Sequence, residues 1–274
     1  MRVKYPKRAK LPVLSKIIKH YKKYIKMKAT KAKKPKKTNK VIFRDSNAIH
    51  IFRYGTTSND KIEADKKRKI LQSYTFSRTQ FELILQGLND GMKTFFNSAD
   101  SNCLDCPFNS FGLCYTHKFN QYVGFISMLK SVIKQYKDFY DIPTYNEDVK
   151  QQALNFAKNT YVRFGSYGEP SLHPTDLISD IVNVCDNWTG YTHQWEKRDD
   201  LSGYFMASTH TIKEELIARN EGYRSFIATE EKIDGIVNCP ASKEAGYKST
   251  CSKCGLCSGT LGKGKVSVFI LNHA

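Results

Sequence analysis

The chain has 274 residues, 40% hydrophobic and 12% aromatic, with a formal net charge of +18. That composition excludes a wholly disordered polymer, and no run approaches the roughly 20 apolar residues of a spanning helix. The charge is local: residues 1–40 hold 17 Lys and Arg and no acid, so the remaining 27 basic and 26 acidic side chains leave the body near +1. The expected organisation is a basic tail, 1–40, followed by one α/β metal-binding body, 41–274.

In the tail, Leu11, Leu14, Ile17, Ile18, Tyr21, Tyr24 and Ile25 recur at helical spacing among lysines, which predicts a short amphipathic basic helix. Residues 28–40 are a low-complexity linker whose self-repulsion favours extension. Its Lys31, Lys33, Lys34, Lys36 and Lys37 suit the phosphate backbone of DNA or RNA. An anionic membrane surface is the weaker partner, and a merely solvated tail is the bland reading. No secretory leader or transit peptide is expected.

The body opens near Val41. Asn47–Tyr54 alternates apolar and polar residues and reads as a strand, and Ser77–Phe96 as a helix capped by Ser77. After a cysteine loop at 103–114, helices are expected at Thr116–Tyr140 and Asn146–Ala157. Beyond residue 160 the rhythm changes to alternation. Strands are predicted at Tyr161–Gly165, Gly190–Trp195, Gly203–Ala207, Arg224–Ala228, Ile236–Asn238 and Lys265–Leu271. Helices fall between them at Pro174–Val184 and Thr211–Asn220. This alternation implies parallel βαβ units, hence an α/β fold: a partial (βα) barrel or a curved parallel sheet with helices.

Two cysteine groups carry the chemistry. Cys239, Cys251, Cys254 and Cys257 offer four thiolates, three of them in a C-x2-C-x2-C run. Thiolates select zinc or an iron–sulfur cluster, and both accept this spacing. Upstream, Cys103, Cys106 and Cys114 offer three, leaving a coordination position open unless His117 or Cys185 fills it. Cys185 reads more simply as a buried helix cysteine. Cysteine used for metal rather than for disulfides points to a reducing, cytoplasmic setting.

Strand ends supply the other candidates. Arg163-Phe-Gly-Ser-Tyr-Gly-Glu-Pro170 runs out of a strand, with Gly165 and Gly168 permitting close backbone approach and Glu169 projecting at the mouth. His193, Ser208, His210, Thr229, Cys239 and His273 fall at equivalent positions. In βα architectures ligands gather there.

Three segments, YVRFGSYGEP, TGYTHQW and NCPASKEAG…TCSKCGLC, resemble in the same order a group of bacteriophage-encoded cysteine-rich proteins of unassigned function. Cys106-Pro…Gly-Leu-Cys114-Tyr is similar to their upstream cysteine segment. Those proteins look like shortened relatives of radical S-adenosylmethionine (SAM) enzymes, with a partial (βα) barrel and cysteine-bound clusters. Gly168-Glu169-Pro170 is similar to the Gly-Gly-Glu segment that holds the methionine end of SAM in that superfamily, and Tyr167 stands where its first Gly would be. The superfamily's cysteine spacing, three and two, is here two and seven. The resemblance implies a host-cell cytoplasmic enzyme with a [4Fe–4S] cluster on Cys103, Cys106 and Cys114. It further implies a cofactor site at Gly165, Tyr167, Gly168 and Glu169.

Two functions are therefore weighed. In the first, an enzyme uses Glu169, His193 and His273 as catalytic or pocket residues and acts on nucleic acid or a nucleotide. In the second, a non-catalytic protein uses zinc at both cysteine groups as structural staples and binds nucleic acid through its tail.

Overall fold

The strands and helices follow from local signals that tertiary packing then selects. The computed structural model describes residues 39–55, 70–88, 90–109 and 114–271. The expected tail helix, the Lys31–Lys37 patch and His273 lie outside these residues. β1 (Lys40–Arg44) and β2 (Ala48–Tyr54) form an antiparallel hairpin. Asp45 closes its turn by accepting the backbone N–H groups of Asn47 and Ala48, each at 2.7 Å. β3 (Ile70–Ser77) pairs antiparallel with β2 and parallel with β4 (Tyr161–Tyr167), and β5 (Asn187–Thr189) completes this first sheet in the order β1-β2-β3-β4-β5.

Five helices separate β3 from β4. α1 (Arg78–Gln86) starts with a capping box in which Ser77 accepts from the Gln80 N–H while the Gln80 side chain accepts from the Ser77 N–H. The expected helix to Phe96 instead breaks at Gly87, whose φ of 71° ends the helix in the left-handed region, and α2 (Met92–Asn97) starts anew. α3 (Asp100–Cys103) follows. α4 is Phe119–Gln135, shorter at both ends than Thr116–Tyr140, and α5 (Glu147–Ala157) is capped by Asn146. These elements cover both faces of the first sheet. Phe43, Phe52, Leu71, Val162 and Phe164 pack with α5 and with α6 (Thr175–Val184). Ile49, Ile51, Phe76 and Tyr167 pack on the other face with Phe81, Phe96, Phe125 and Leu129 from α1, α2 and α4. Each fully buried Phe contributes about 1.5–3 kcal/mol, so this aromatic face is a main source of stability.

The second sheet, β6-β7-β8-β10-β9, is parallel throughout. Its strands are β6 (Tyr191–Thr192), β7 (Met206–Thr209), β8 (Ser225–Thr229), β9 (Val237–Asn238) and β10 (Val268–Leu271). α7 (Ile212–Asn220) crosses between β7 and β8. The expected strand Gly190–Trp195 is thus only two residues long, because Gln194 and Trp195 have already left the ladder. Gly190 alone joins the sheets. Its N–H donates to the Cys257 carbonyl at 3.0 Å, and its carbonyl accepts from the Met206 N–H at 3.0 Å. A Cβ there would lie 2.7 Å from the Phe205 ring, so the crossing needs glycine. The fold is α/β with one mixed and one parallel sheet, and no barrel closes among the described residues. No described helix is long and apolar enough to cross a membrane.

Candidate functional site: two groups of free cysteines

The first group lies where β3, β4 and β6 end. α3 carries Cys103, and the following turn brings the Cys106 N–H onto the Cys103 carbonyl at 3.1 Å. Cys106 Sγ is 3.8 Å from His193 Nε2, and His193 Nδ1 is 3.8 Å from Glu169 Oε2. The Cys114 thiol lies 3.1 Å from the Thr116 hydroxyl. Burial pushes the Cys103 thiol well up, and the nearby charges of Cys106, Cys114 and Glu169 add to it, which places the three cysteines and the carboxylate in one electrostatic neighbourhood. Burial pulls His193 down, but its contacts with Cys106 and Glu169 prevail and push it up to about 9. A cationic His193 sets a positive charge 3.8 Å from Cys106 Sγ, a soft-metal donor.

Glu169 reaches this position through an irregularity in β4. From the Gln72–Arg163 pair to the Tyr74–Tyr167 pair, β3 advances two residues and β4 four, so Gly165 and Ser166 bulge out of the ladder. The Gly165 N–H is caught by the Ser73 hydroxyl at 3.0 Å. Tyr167 does not face the mouth: its ring is buried against Phe76 and Phe125, and its hydroxyl accepts from Gln80 at 2.7 Å. Gly168 has φ 75°, and a Cβ there would strike the Thr75 hydroxyl and lie 2.9 Å from Asn102 Nδ2. The close approach anticipated for Gly168 is therefore to β3 and α3. Glu169, 3% exposed, accepts the N–H groups of Ser171 and His193, each at 3.1 Å. These bonds and the His193 charge outweigh desolvation and hold its carboxyl below the usual range.

The second group reaches from the starts of β3 and β4, where Cys251 lies, to the end of β9, which Cys239 follows. α8 (Cys251–Cys254) ends in Gly255, and Cys251 packs on Ile70 and Tyr161, the first residues of β3 and β4. Burial drives the Cys257 thiol far up, and thiolates at Cys239, Cys251 and Cys254 would push the same way. Arg224 fastens the loop: its guanidinium donates to the carbonyls of Leu256 at 3.0 Å, Val266 at 2.9 Å, Gly259 at 3.0 Å and also Ser258.

All eight cysteines are free thiols. The donor chemistry fits a soft metal or a cluster at both groups. Among the described residues, however, no three His, Cys, Asp or Glu side chains converge closely enough to hold a metal ion. Other candidates fall outside the two groups. His117 stacks on Phe96 with centroids 4.1 Å apart, and Cys185 caps α6 with its thiol donating to the Val182 carbonyl at 3.6 Å. His210 does join the first group, stacked 5.7 Å from His193 and edge-on to Phe108 at 4.5 Å. Ser208 and Thr229 lie in β7 and at the end of β8.

Three residues escaped the reading of the sequence. Asn102, fully buried, donates to the Thr75 carbonyl, accepts from the Ser77 N–H and lends its carbonyl to the Glu169 N–H at 2.7 Å, tying α3 to the Glu169 loop. Arg224 lies inside a predicted strand segment with no motif around it, and Arg163 opens the Arg163–Pro170 run without being given a role of its own. Together these features define an α/β protein with one cysteine group at the C-terminal ends of β3, β4 and β6 and another running from the starts of β3 and β4 to the end of β9. No family model, curated protein or solved structure matches the chain, so the resemblance stated above rests on its motifs.

Proposed function

We propose that the chain is a cysteine-ligated metal or iron–sulfur enzyme of radical SAM type, built on a partial (βα) barrel and acting on nucleic acid or a nucleotide. The observation that carries this reading is the Cys106–His193–Glu169 chain of contacts, with Cys103 and Cys114 in the same electrostatic neighbourhood, at the C-terminal ends of parallel strands, where βα folds do their chemistry. Three thiolates would leave one metal position open to a ligand; the four C-terminal thiolates would close theirs. When bound, a cluster with an open iron supplies one-electron chemistry at that position. Glu169 retains lone pairs beyond its two backbone bonds and would take the amine of SAM. His193 would bridge Cys106 and Glu169, while Asn102 and the β4 bulge fix the carboxylate. The lysines of the tail would bring the enzyme to phosphate backbones.

A second reading, a non-catalytic nucleic-acid-binding protein with two zinc staples, draws on the C-terminal group, whose loop Arg224 fastens to the sheet. Purification without oxygen, followed by a visible spectrum and assays of iron, sulfide and zinc, separates the two. A brown protein bleached by dithionite supports the enzyme. A colourless protein with two zinc ions overturns it.

A further inference from the structure

Arg163 is a partly buried cation with no anion of its own. It stands in the middle of β4, its side chain on the face opposite Val162 and Phe164, which are buried in the core against α5 and α6. One guanidinium nitrogen donates to the Tyr115 hydroxyl at 3.1 Å. Among the described residues no carboxylate lies within ion-pairing distance of it. Four of the other six described arginines show what satisfaction looks like here; Arg44 and Arg53, like Arg163, pair with no carboxylate. Arg78, Arg198 and Arg219 pair with Glu82, Asp200 and Glu215, and buried Arg224 spends its donors on four carbonyls.

Beside Arg163 stand Tyr115, Tyr191, Cys251 and Tyr161. Two of these neighbours, Tyr115 and Tyr191, are phenols that can donate hydrogen bonds to an anion, while the Tyr161 hydroxyl donates to Thr189 at 2.7 Å. Tyr191 stacks on Phe226 with centroids 4.5 Å apart and planes inclined by 24°, a flat aromatic floor from β6 to β8. Tyr115 is 56% exposed, so the face opens to solvent on that side. The position also lies between the two cysteine groups, since Tyr115 adjoins Cys114 while Cys251 packs on Tyr161. A guanidinium withdrawn from water with donors to spare is expensive unless an anion arrives, and its planar fork matches carboxylate and phosphate oxygens.

We propose that Arg163, with Tyr115 and Tyr191, binds the oxyanion of a small molecule, a phosphate or a carboxylate, on the sheet face between the two cysteine groups. This names a substrate class for the enzyme reading, and it rests on that reading only for what the anion is bound to do. The competing role for Arg163 is as counter-charge to the thiolates of the second group.

The experiment is calorimetric titration of the full-length protein with uridine 5′-monophosphate, inorganic phosphate and sodium acetate, with uridine as the uncharged control. Uridine monophosphate or acetate is expected to bind saturably, the better of them naming the phosphate or carboxylate source, and uridine at least about tenfold more weakly. R163Q should lose at least about tenfold in affinity, the worth of one or two charge-assisted hydrogen bonds. Should R163Q fail to fold, phenylglyoxal labelling of the wild type decides instead: the bound anion should shield Arg163 from modification. No saturable binding by any of the anions, equal binding by R163Q, or labelling unaffected by the anion would overturn the proposal. Metal and sulfide assayed on the same wild-type and R163Q preparations keep the readings apart. Anion binding without metal removes only the enzyme reading, while loss of metal in R163Q with unchanged anion binding assigns Arg163 to the thiolates.

Discussion

Arg224→Met tests whether the second cysteine loop is held by the guanidinium or by its own packing. In the native fold Arg224 donates to four carbonyls, those of Leu256, Val266, Ser258 and Gly259, three of them in the loop that follows Cys254. Methionine fills similar space without a donor, so those carbonyls lose their partner. At a net worth of about 1 kcal/mol for each hydrogen bond, the loss is about 4 kcal/mol, a large share of the roughly 5–15 kcal/mol that keeps a domain folded. At about 2–4 °C per kcal/mol for a body of this size, the melting temperature should fall by about 8–16 °C. Arg224→Lys, which keeps the charge but not the fork, should fall about half as far. The assay is thermal unfolding, paired with the rate at which Cys257 reacts with iodoacetamide. That rate should rise in both variants, because a thiol pushed far up by burial becomes accessible once the loop loosens. A melting temperature within about 2 °C of wild type, with Cys257 no more reactive, would refute the reasoning.

Other expectations follow from the same contacts. His173 is 2% exposed, its Nδ1 lies 3.0 Å from His50 Nδ1, and its buried Nε2 has no hydrogen-bond partner. Burial, followed by the His50 charge, holds it well below its ordinary value of 6.5, so as pH falls below about 6.5 the unfolded chain takes up the proton first. Stability should then drop by up to about 1.4 kcal/mol per pH unit, and urea unfolding of H173Q should lose that part of the slope. Gly168→Ala adds a Cβ that strikes the Thr75 hydroxyl and lies 2.8 Å from its carbonyl, at a φ of 75°. It should destabilise by about 2–4 kcal/mol and lower the pKa of His193, as followed by NMR, because Glu169 moves with it. Removing residues 1–38 should flatten the salt dependence of DNA or RNA binding, whose slope counts phosphate contacts. An undiminished slope would place the nucleic-acid surface on the body.

Much of the parallel half of the fold is legible because its signals are local. Asn146 and Thr211 sit at the caps of α5 and α7, and the Ser77–Gln80 box starts α1 where a capping residue is expected. β1 and β3 were missed for different reasons. β1 is a short run at the end of a lysine tract. β3, the centre of the first sheet, is buried on both faces, and the polar–aromatic alternation of Ser73–Ser77 that marks it runs straight into the Ser77 helix cap. Gly87 and Gly190 show the other limit: whether a glycine ends a helix or joins two sheets depends on what approaches it. At the site, Glu169, His193 and His210 were legible as polar residues beyond strand ends. Arg163 was not, since which face it occupies is settled only by its neighbours in the ladder. Tyr167 was assigned to the cofactor because it precedes Gly168, yet the two-residue bulge in β4 turns its ring into the aromatic core.

The central claim is that Cys103, Cys106 and Cys114 hold a metal centre distinct from that of Cys239, Cys251, Cys254 and Cys257. Metal and sulfide per chain, measured side by side on anaerobically purified wild type and the C103A/C106A/C114A variant, test it most directly. The account predicts two centres in the wild type and one in the variant, with the fold intact by circular dichroism. Equal metal in both proteins, or none in either, would contradict it.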